Sequence, residues 1–197
     1  MKLALISLGC SKNLVDSEHY LGILSNRKQM ELTSDVADAD IVIVNTCGFI
    51  GDAKKESIET ILEVGELKQT GKLKKLIVAG CLAQKYSEEI LNEMPEVDAV
   101  IGTGDIDKIE SLVDEILKDK KVVETSNINF LANAQTERIR TTAAHTAYLK
   151  ISEGCNRHCT YCIIPQMRGR LRSRTIEDIV EEAKNLSLIH ISEPTRP

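Results

Sequence analysis

Ile41-Val-Ile-Val-Asn-Thr-Cys47 is a run of four β-branched residues followed by two small polar residues and a cysteine. Such a run is typical of a strand that is buried on both faces, as in a parallel sheet. Leu5-Ile-Ser-Leu-Gly-Cys10 and Leu76-Ile-Val-Ala-Gly-Cys81 also end in a cysteine. The cysteines are 37 and 34 residues apart, which is roughly one β–α–β repeat. The three runs therefore predict successive strands of one sheet.

Strand and helix patterns alternate over the first 125 residues. Apolar runs predict strands over 2–8, 40–45, 75–79, 99–101 and 122–124. Apolar residues at helical spacing predict helices near 15–27, 53–68, 86–93 and 105–118. This alternation predicts an α/β fold, with a parallel sheet covered by helices on both faces.

The rest of the chain divides differently. Residues 126–145 lose the rhythm, and the polar stretch 136–142 predicts a linker. A strand is predicted over 146–152 and a helix over 175–186, with Thr175 as its N-cap. We expect a first domain over 1–125, a linker over 126–145, the start of a second domain over 146–186 and a non-native tail over 187–197. About 50 residues after the linker are too few for a closed barrel of ~250 residues, so we expect a fragment, with a short natural appendage as the alternative.

Composition excludes some classes of protein. The chain has 197 residues, a net charge of −5 and 42% hydrophobic residues, which gives no global attraction to nucleic acid. No apolar stretch approaches ~18–20 residues, and the N-terminus does not resemble a secretory signal. We expect a cytoplasmic protein with no membrane partner. Thiols stay reduced in that compartment, so the six cysteines are interpreted as metal-binding or catalytic residues rather than three disulfides.

Cys10, Cys47 and Cys81 each follow a predicted strand. Ligands of open α/β sheets bind beyond the carboxyl ends of the strands, and neighbouring strands lie ~4.8 Å apart. Three sulfurs at this edge could therefore bind one iron–sulfur cluster. Two alternatives remain: buried core cysteines, and a zinc ion with His19 as a weak fourth ligand.

Cys155, Cys159 and Cys162 form a C-x-x-x-C-x-x-C run. Three thiolates can hold three corners of a 4Fe–4S cluster and leave the fourth iron open to a cofactor. The spacing resembles the signature of the radical S-adenosylmethionine superfamily, and this resemblance implies Tyr161 as a candidate contact of that cofactor. His158, inside the run, is interpreted as an exposed loop residue rather than a ligand.

Four arginines alternate after this run, at positions 168, 170, 172 and 174. Arginine binds planar anions through two parallel hydrogen bonds, so this stretch could contact a carboxylate or phosphate group. A solvated basic loop is the alternative, and the sequence leaves both open. Gly102-Thr103-Gly104 is interpreted as a turn, since it lacks the third glycine of a nucleotide-binding loop.

Both cysteine sets, in this order, resemble the methylthiotransferase family of radical S-adenosylmethionine enzymes over about residues 1–186. The resemblance rests on residues 8–18, 45–50, 79–84 and 154–165. It implies a flavodoxin-like domain followed by the first β/α unit of a truncated radical SAM (TIM-like) barrel. It also implies two 4Fe–4S clusters and S-adenosylmethionine as cofactors. Cys10, Cys47 and Cys81 would hold the auxiliary cluster, and Cys155, Cys159 and Cys162 the cluster that binds and cleaves S-adenosylmethionine.

Within the family, Gly9-Cys-Ser-Lys-Asn13 and the arginine stretch are similar to the branch that modifies a small-subunit ribosomal protein. The implied reaction is methylthiolation of an aspartate β-carbon, from C–H to C–SCH3, with the fragment itself expected to be inactive. The implied partners are that ribosomal protein and a reductant protein such as flavodoxin or ferredoxin. The alternatives are a tRNA adenosine methylthiotransferase, with tRNA as partner, and a non-catalytic iron–sulfur or zinc-binding module.

Overall fold

Six strands form one fully parallel sheet in the order β2-β1-β3-β4-β5-β6. The computed structural model describes residues 1–126, 128–143 and 145–188. Most of the predicted tail, from position 189 onward, and positions 127 and 144 of the predicted linker lie outside the described residues. The strands are β1 (Lys2–Ser7), β2 (Glu31–Leu32), β3 (Ile41–Thr46), β4 (Lys75–Gly80), β5 (Ala99–Ile101) and β6 (Val122–Glu124).

Helices cover both faces of this sheet, as the sequence predicts. They are α1 (Ser11–Ser25), α2 (Gly51–Thr70), α3 (Cys81–Glu93) and α4 (Ile109–Ile116), with short 3-10 helices at Val36–Asp38 and Ile106–Lys108. Helices α1 and α4 pack on one face against Ile41 and Ile43. Helices α2 and α3 pack on the other face against Val42 and Val44. No helix among the described residues is long and apolar enough to span a bilayer.

The buried strand β3 is the centre of this arrangement. All six of its residues are buried, and successive side chains point to opposite faces. Burial of each such aliphatic side chain contributes about 1.5–3 kcal/mol. The first five strands follow the flavodoxin-like order 2-1-3-4-5, and β6 extends that sheet at the β5 edge. The expected fold class is therefore confirmed. The strand order reverses between β1 and β3, and α/β sheets bind ligands at such a topological switch point.

The described residues of the second part of the chain form two short strands and two helices. These are β7 (Ser152–Glu153), α5 (Ile164–Arg168), β8 (Arg172–Ser173) and α6 (Ile176–Leu188). Strands β7 and β8 pair antiparallel. The predicted strand over 146–152 was wrong except at its last residue, because arginine side chains occupy carbonyl groups that a neighbouring strand would need. Arg138 donates to the carbonyl of Tyr148, and Arg174 donates to that of Lys150.

The predicted start of the last helix is confirmed. The hydroxyl of Thr175 accepts a hydrogen bond from the backbone N–H of Asp178 at 3.3 Å. This is the contact by which an N-cap residue satisfies a free N–H in the first helical turn.

Gly80 connects β4 to α3 with a φ of +93°. A Cβ at this position would lie 2.2 Å from Oδ1 of Asn45 and 2.6 Å from the carbonyl oxygen of Thr46. We expect Gly80→Ala to lower the free energy of unfolding by roughly 2–4 kcal/mol, because it adds both backbone strain and steric overlap. Urea titration followed by circular dichroism measures this change.

Gly51→Ala is the matched control. Gly51 is the first residue of α2, has no positive φ, and would place its Cβ in open space. We expect unchanged or slightly higher stability there, because alanine restricts the unfolded chain. Equal losses in the two variants would contradict the role assigned to Gly80.

Candidate functional site

Cys10, Cys47 and Cys81 emerge from the same edge of the sheet. Cys10 is the N-cap of α1, Cys47 follows β3 directly, and Cys81 is the first residue of α3. Their strands β1, β3 and β4 are neighbours, with Ser7 opposite Asn45 and Thr46 opposite Gly80. The register therefore places the three cysteines at nearly the same level beyond the sheet.

A cavity of about 580 Å³ lies at this edge. Its wall includes all three cysteines of the first set and Cys155 of the second. The charged and polar side chains of the wall are those of Lys12, Asn13, Glu153 and Arg168. Its apolar side chains are those of Phe49, Ile50, Ala53, Ile164 and Met167. Four of the six cysteines predicted from the sequence thus meet in one space, while Cys159 and Cys162 do not line it.

The loops after β1 and β3 approach each other closely because of Gly9. Gly9 has a φ of +89°, and a Cβ there would lie 2.8 Å from Cβ of Cys47. The side-chain amide of Asn13 donates to the carbonyl oxygens of Leu8 and Thr46, each at 3.0 Å. Asn13 therefore ties together the two loops that carry Cys10 and Cys47.

The second cysteine set forms a surface loop. The N–H of Cys155 donates to the carbonyl of Gly169 at 3.1 Å, and the N–H of Cys162 donates to that of Cys159 at 3.1 Å. Cys159 is exposed, and Tyr161 is 90% exposed. Exposed His158 agrees with its interpretation as a loop residue. Only Cys155 of this set reaches the cavity.

Asp16, Lys150, Glu153 and Arg168 form a cluster of buried ion pairs beside the cavity, which we call the charge network. Nη1 of Arg168 lies 3.0 Å from Oδ2 of Asp16 and 2.9 Å from Oε2 of Glu153. Lys150 pairs with Asp16 and lies 3.0 Å from Oε2 of Glu153. Each of these side chains is at most 7% exposed. The network joins α1 to the segment that leads into the second cysteine set.

Burial and charge compete in this network. Burial raises the pKa of the Cys81 thiol, and the adjacent guanidinium of Arg168 offsets only part of the increase. Burial also raises the pKa of Glu153, but the positive charges of Lys150, Arg168 and Lys12 outweigh this effect and lower the pKa to about 2. Burial lowers the pKa of Arg168, whereas Asp16, Cys81 and Glu153 raise it well above its ordinary value. The carboxylate of Glu153 and the guanidinium of Arg168 are therefore both charged at neutral pH.

A second cluster, made of buried ion pairs and hydrogen bonds, holds the predicted linker against α1, and we call it the linker seam. Its residues are Glu18, Arg138, Thr141 and Glu182. Nη2 and Nε of Arg138 donate to Oε2 of Glu18 at 2.6 and 2.8 Å, and Nη1 donates to Glu182 at 2.7 Å. The N–H of Thr141 donates to Oε1 of Glu18 at 2.7 Å. Gly22 allows this approach, since a Cβ there would lie 2.4 Å from the Arg138 nitrogen.

The structure distinguishes the four alternating arginines. Arg168 is buried in the charge network, and Arg174 pairs with Asp178 and Glu182. Arg172 donates to backbone carbonyls, while Arg170 is exposed. Within the chain, two of the four therefore bind carboxylates of the protein itself.

His19 and Thr103 have structural roles. Nδ1 of His19 lies 2.9 Å from the carbonyl oxygen of Glu137, and His19 does not line the cavity. The hydroxyl of Thr103, in the predicted turn, donates to the carbonyl of Met167 at 2.6 Å. Thr103 thus anchors α5 to the end of the sheet.

Sequence reasoning missed Asp16, Lys150 and Glu153 as parts of the site. A signal was present for two of them: Asp16 lies six residues after Cys10, and Glu153 lies two residues before Cys155. Charged residues so close to predicted cysteine ligands are candidates for buried partners. Their actual pairing depends on contacts across more than 130 residues of sequence.

The residues around the cavity fit a thiolate-bound cluster. Among the described residues, no group of three or more His, Cys, Asp or Glu side chains is close enough to hold a single metal ion. The cavity, however, is far larger than one ion, and its wall contains four cysteines, three of them from the first set. Cysteine thiolates are the usual ligands of 4Fe–4S clusters, and the nearby cations Lys12 and Arg168 would offset their negative charge.

Comparison with known proteins agrees with this geometry. Residues 2–102 match a family described as Uncharacterized protein family UPF0004, and residues 149–192 match the Radical SAM superfamily. These matches imply S-adenosylmethionine and 4Fe–4S clusters as cofactors.

Several curated relatives carry the name Ribosomal protein uS12 methylthiotransferase RimO. The protein from Clostridioides difficile (strain 630) is 54% identical over 187 residues, which is 95% of this chain and 42% of that protein. The protein from Lachnoclostridium phytofermentans is 54% identical with the same coverage. The one from Thermoanaerobacter sp. (strain X514) is 52% identical over 93% of this chain and 42% of its own length. The chain thus spans about two fifths of the length of these relatives.

The first family match covers just over half of the chain, and it includes five of the six strands of the sheet and the three cysteines at its edge. The second match covers the other cysteine set. The chain therefore belongs to protein family UPF0004 and continues into a segment of the radical SAM superfamily.

Proposed function

We propose that this chain is part of a radical SAM methylthiotransferase that acts on an aspartate β-carbon of ribosomal protein uS12. The observation that carries the proposal is the single cavity lined by Cys10, Cys47, Cys81 and Cys155. Thiols from both cysteine sets border that space, as a transfer of sulfur between two sites requires. The curated names of the relatives support the choice of substrate.

The proposed ligand sets follow the two groups of cysteines. Cys10, Cys47 and Cys81 hold an auxiliary 4Fe–4S cluster, and Cys155, Cys159 and Cys162 hold a second one. When bound, the clusters and S-adenosylmethionine supply the radical, sulfur and methyl chemistry that converts C–H to C–SCH3. Tyr161, in the exposed loop of the second set, is a proposed contact of S-adenosylmethionine.

The protein itself contributes position and environment. Asn13 and Gly9 fix the two loops that carry Cys10 and Cys47. Apolar residues of the cavity wall, which include Phe49 and Met167, provide a weakly polar surface beside the proposed cluster. The charge network and Thr103 hold the second cysteine set against the first.

The proposed organisation is an auxiliary-cluster domain at 1–125, a linker at 126–145 and the start of the radical SAM domain from residue 146. The linker is proposed to set the distance between the two domains, since the linker seam docks it on α1. A reductant protein such as flavodoxin or ferredoxin is the proposed electron source. The proposed location is the cytoplasm, where ribosomal proteins are modified.

The test compares two substrates of the full-length protein after anaerobic reconstitution. With S-adenosylmethionine and a reductant, we expect a methylthio group on one aspartate of purified uS12, detected by peptide mass spectrometry. Transfer RNA treated in the same way is expected to remain unmodified. Methylthiolated adenosine with unmodified uS12 would assign the tRNA reaction instead. Bound zinc without iron or sulfide would reject the proposal and support a zinc-binding module.

A further inference from the structure

Arg168 is the residue at which the charge network meets the cavity. Its side chain is 6% exposed, and it lines the cavity together with Cys81 and Cys155. Lys150, the other fully buried cation of the network, does not line this cavity. The two cations therefore share the same carboxylates, but only Arg168 reaches the sulfur-lined space.

The contacts of Arg168 fix its guanidinium in one orientation. Nη1 binds both Asp16 and Glu153, and Nη2 donates to Oδ1 of Asn13 at 2.6 Å. Arg168 and Cys81 line the same cavity, and Oδ1 of Asn13 contacts both of them, since the Cys81 sulfur lies 3.7 Å from that oxygen. A buried cation held by three partners keeps its position when charge changes near it, because little of the surroundings must reorganise.

The partners of Arg168 belong to both parts of the chain. Asp16 and Asn13 lie on α1, whereas Glu153 lies on β7, two residues before Cys155. A movement of the second cysteine set would shift Glu153, and with it the guanidinium beside Cys81. Arg168 therefore connects α1, which follows Cys10, to the strand that precedes Cys155.

We propose that Arg168 is a positioning residue for the cluster at Cys10, Cys47 and Cys81, and that its fixed positive charge favours the reduced state of that cluster. The inference rests on the proposed function, since it needs a cluster at these cysteines. Electron addition makes a cluster more negative, and a nearby buried cation stabilises the added charge. The reduction potential of the auxiliary cluster should therefore depend on Arg168 and only weakly on Lys150.

The test uses two double variants with the same net charge. Asp16→Asn with Arg168→Gln leaves Glu153 paired with Lys150, while Asp16→Asn with Lys150→Gln leaves Glu153 paired with Arg168. Each variant removes one carboxylate and one cation, so no buried charge is left without a partner. Asp16→Asn alone is the reference for both.

All proteins are full length and also carry Cys159→Ala and Cys162→Ala, so that only the auxiliary cluster is reconstituted. A redox titration followed by electron paramagnetic resonance measures its midpoint potential. Loss of Arg168 is expected to change the ratio of reduced to oxidised cluster about tenfold at a fixed potential, or ~59 mV toward lower potential for one electron. Loss of Lys150 is expected to leave the potential close to that of the reference.

Equal shifts in the two double variants, or no shift in either, would overturn the inference while leaving the proposed function intact. If the protein with intact Cys10, Cys47 and Cys81 binds no iron, the proposed function fails, and the inference with it. Should the Arg168→Gln variant not fold, Arg168→Lys is compared with Lys150→Arg. A shift of about threefold in the redox ratio only for the Arg168 variant supports the inference, and equal ratios overturn it.

Discussion

Cys159→Ala is expected to reduce cleavage of S-adenosylmethionine by the full-length protein at least 100-fold, whereas Cys81→Ala is expected to leave cleavage nearly unchanged. Cys159 belongs to the exposed loop of the second set, and a cluster that loses one of only three thiolates is poorly held. Cys81 lies in the other set, at the start of α3. Its loss removes the proposed auxiliary cluster and thus stops transfer of sulfur to uS12.

Two measurements on the same samples separate these effects. Chromatography quantifies 5′-deoxyadenosine, and mass spectrometry quantifies the methylthiolated peptide. His158→Ala is the control, because His158 is exposed within the same loop and is not a proposed ligand. Equal loss of 5′-deoxyadenosine in the Cys159 and Cys81 variants would contradict the division of roles between the two sets.

Glu18→Ala is expected to lower the free energy of unfolding by roughly 3–5 kcal/mol, because it leaves the cation of Arg138 buried with half of its ion pairs. Glu18 is fully buried and accepts hydrogen bonds from Arg138 and Thr141 through both carboxylate oxygens. We expect the linker to separate from α1 before the sheet unfolds. Urea titration measures the stability, and limited trypsin digestion detects new cleavage after Arg138 and Arg140.

Glu63→Ala is the matched control for this variant. Glu63 is an exposed carboxylate on α2, so its replacement is expected to change stability by no more than about 0.5 kcal/mol. If Glu18→Ala resists trypsin in the linker as well as the unchanged protein does, the linker seam does not hold that segment.

The sequence was sufficient for most of the sheet, because its long strands β1, β3 and β4 are apolar runs that lead to cysteines. Strands β5 and β6 occur at the predicted positions, and β3 and β4 are displaced by no more than one residue. The short strand β2 was missed because two residues carry no periodic signal. Helix α3 begins at Cys81 rather than near residue 86. Its backbone is non-helical at Tyr86, so the predicted helix corresponds to the part of α3 after this kink.

The meeting of Cys10, Cys47 and Cys81 at one edge of the sheet was predictable. Strand ends in a parallel sheet meet at one edge, so the proximity of Cys10, Cys47 and Cys81 follows from sequence spacing alone. The buried role of Arg168 did not follow, because alternating arginines look the same in a solvated loop. Only the folded chain places Asp16 and Glu153 around that guanidinium, and these residues are separated by 137 positions.

The linker seam and the charge network also affect how this protein changes over evolutionary time. The buried carboxylates of Asp16 and Glu18 are each paired with a cation from a distant part of the chain. A single replacement leaves an unmatched charge in a dry environment, whereas a compensating second replacement restores neutrality. We therefore expect related proteins to differ at positions 18 and 138 together, and likewise at 16, 150, 153 and 168. The contact between the two domains would then be inherited as one unit, even where the surrounding surface diverges freely.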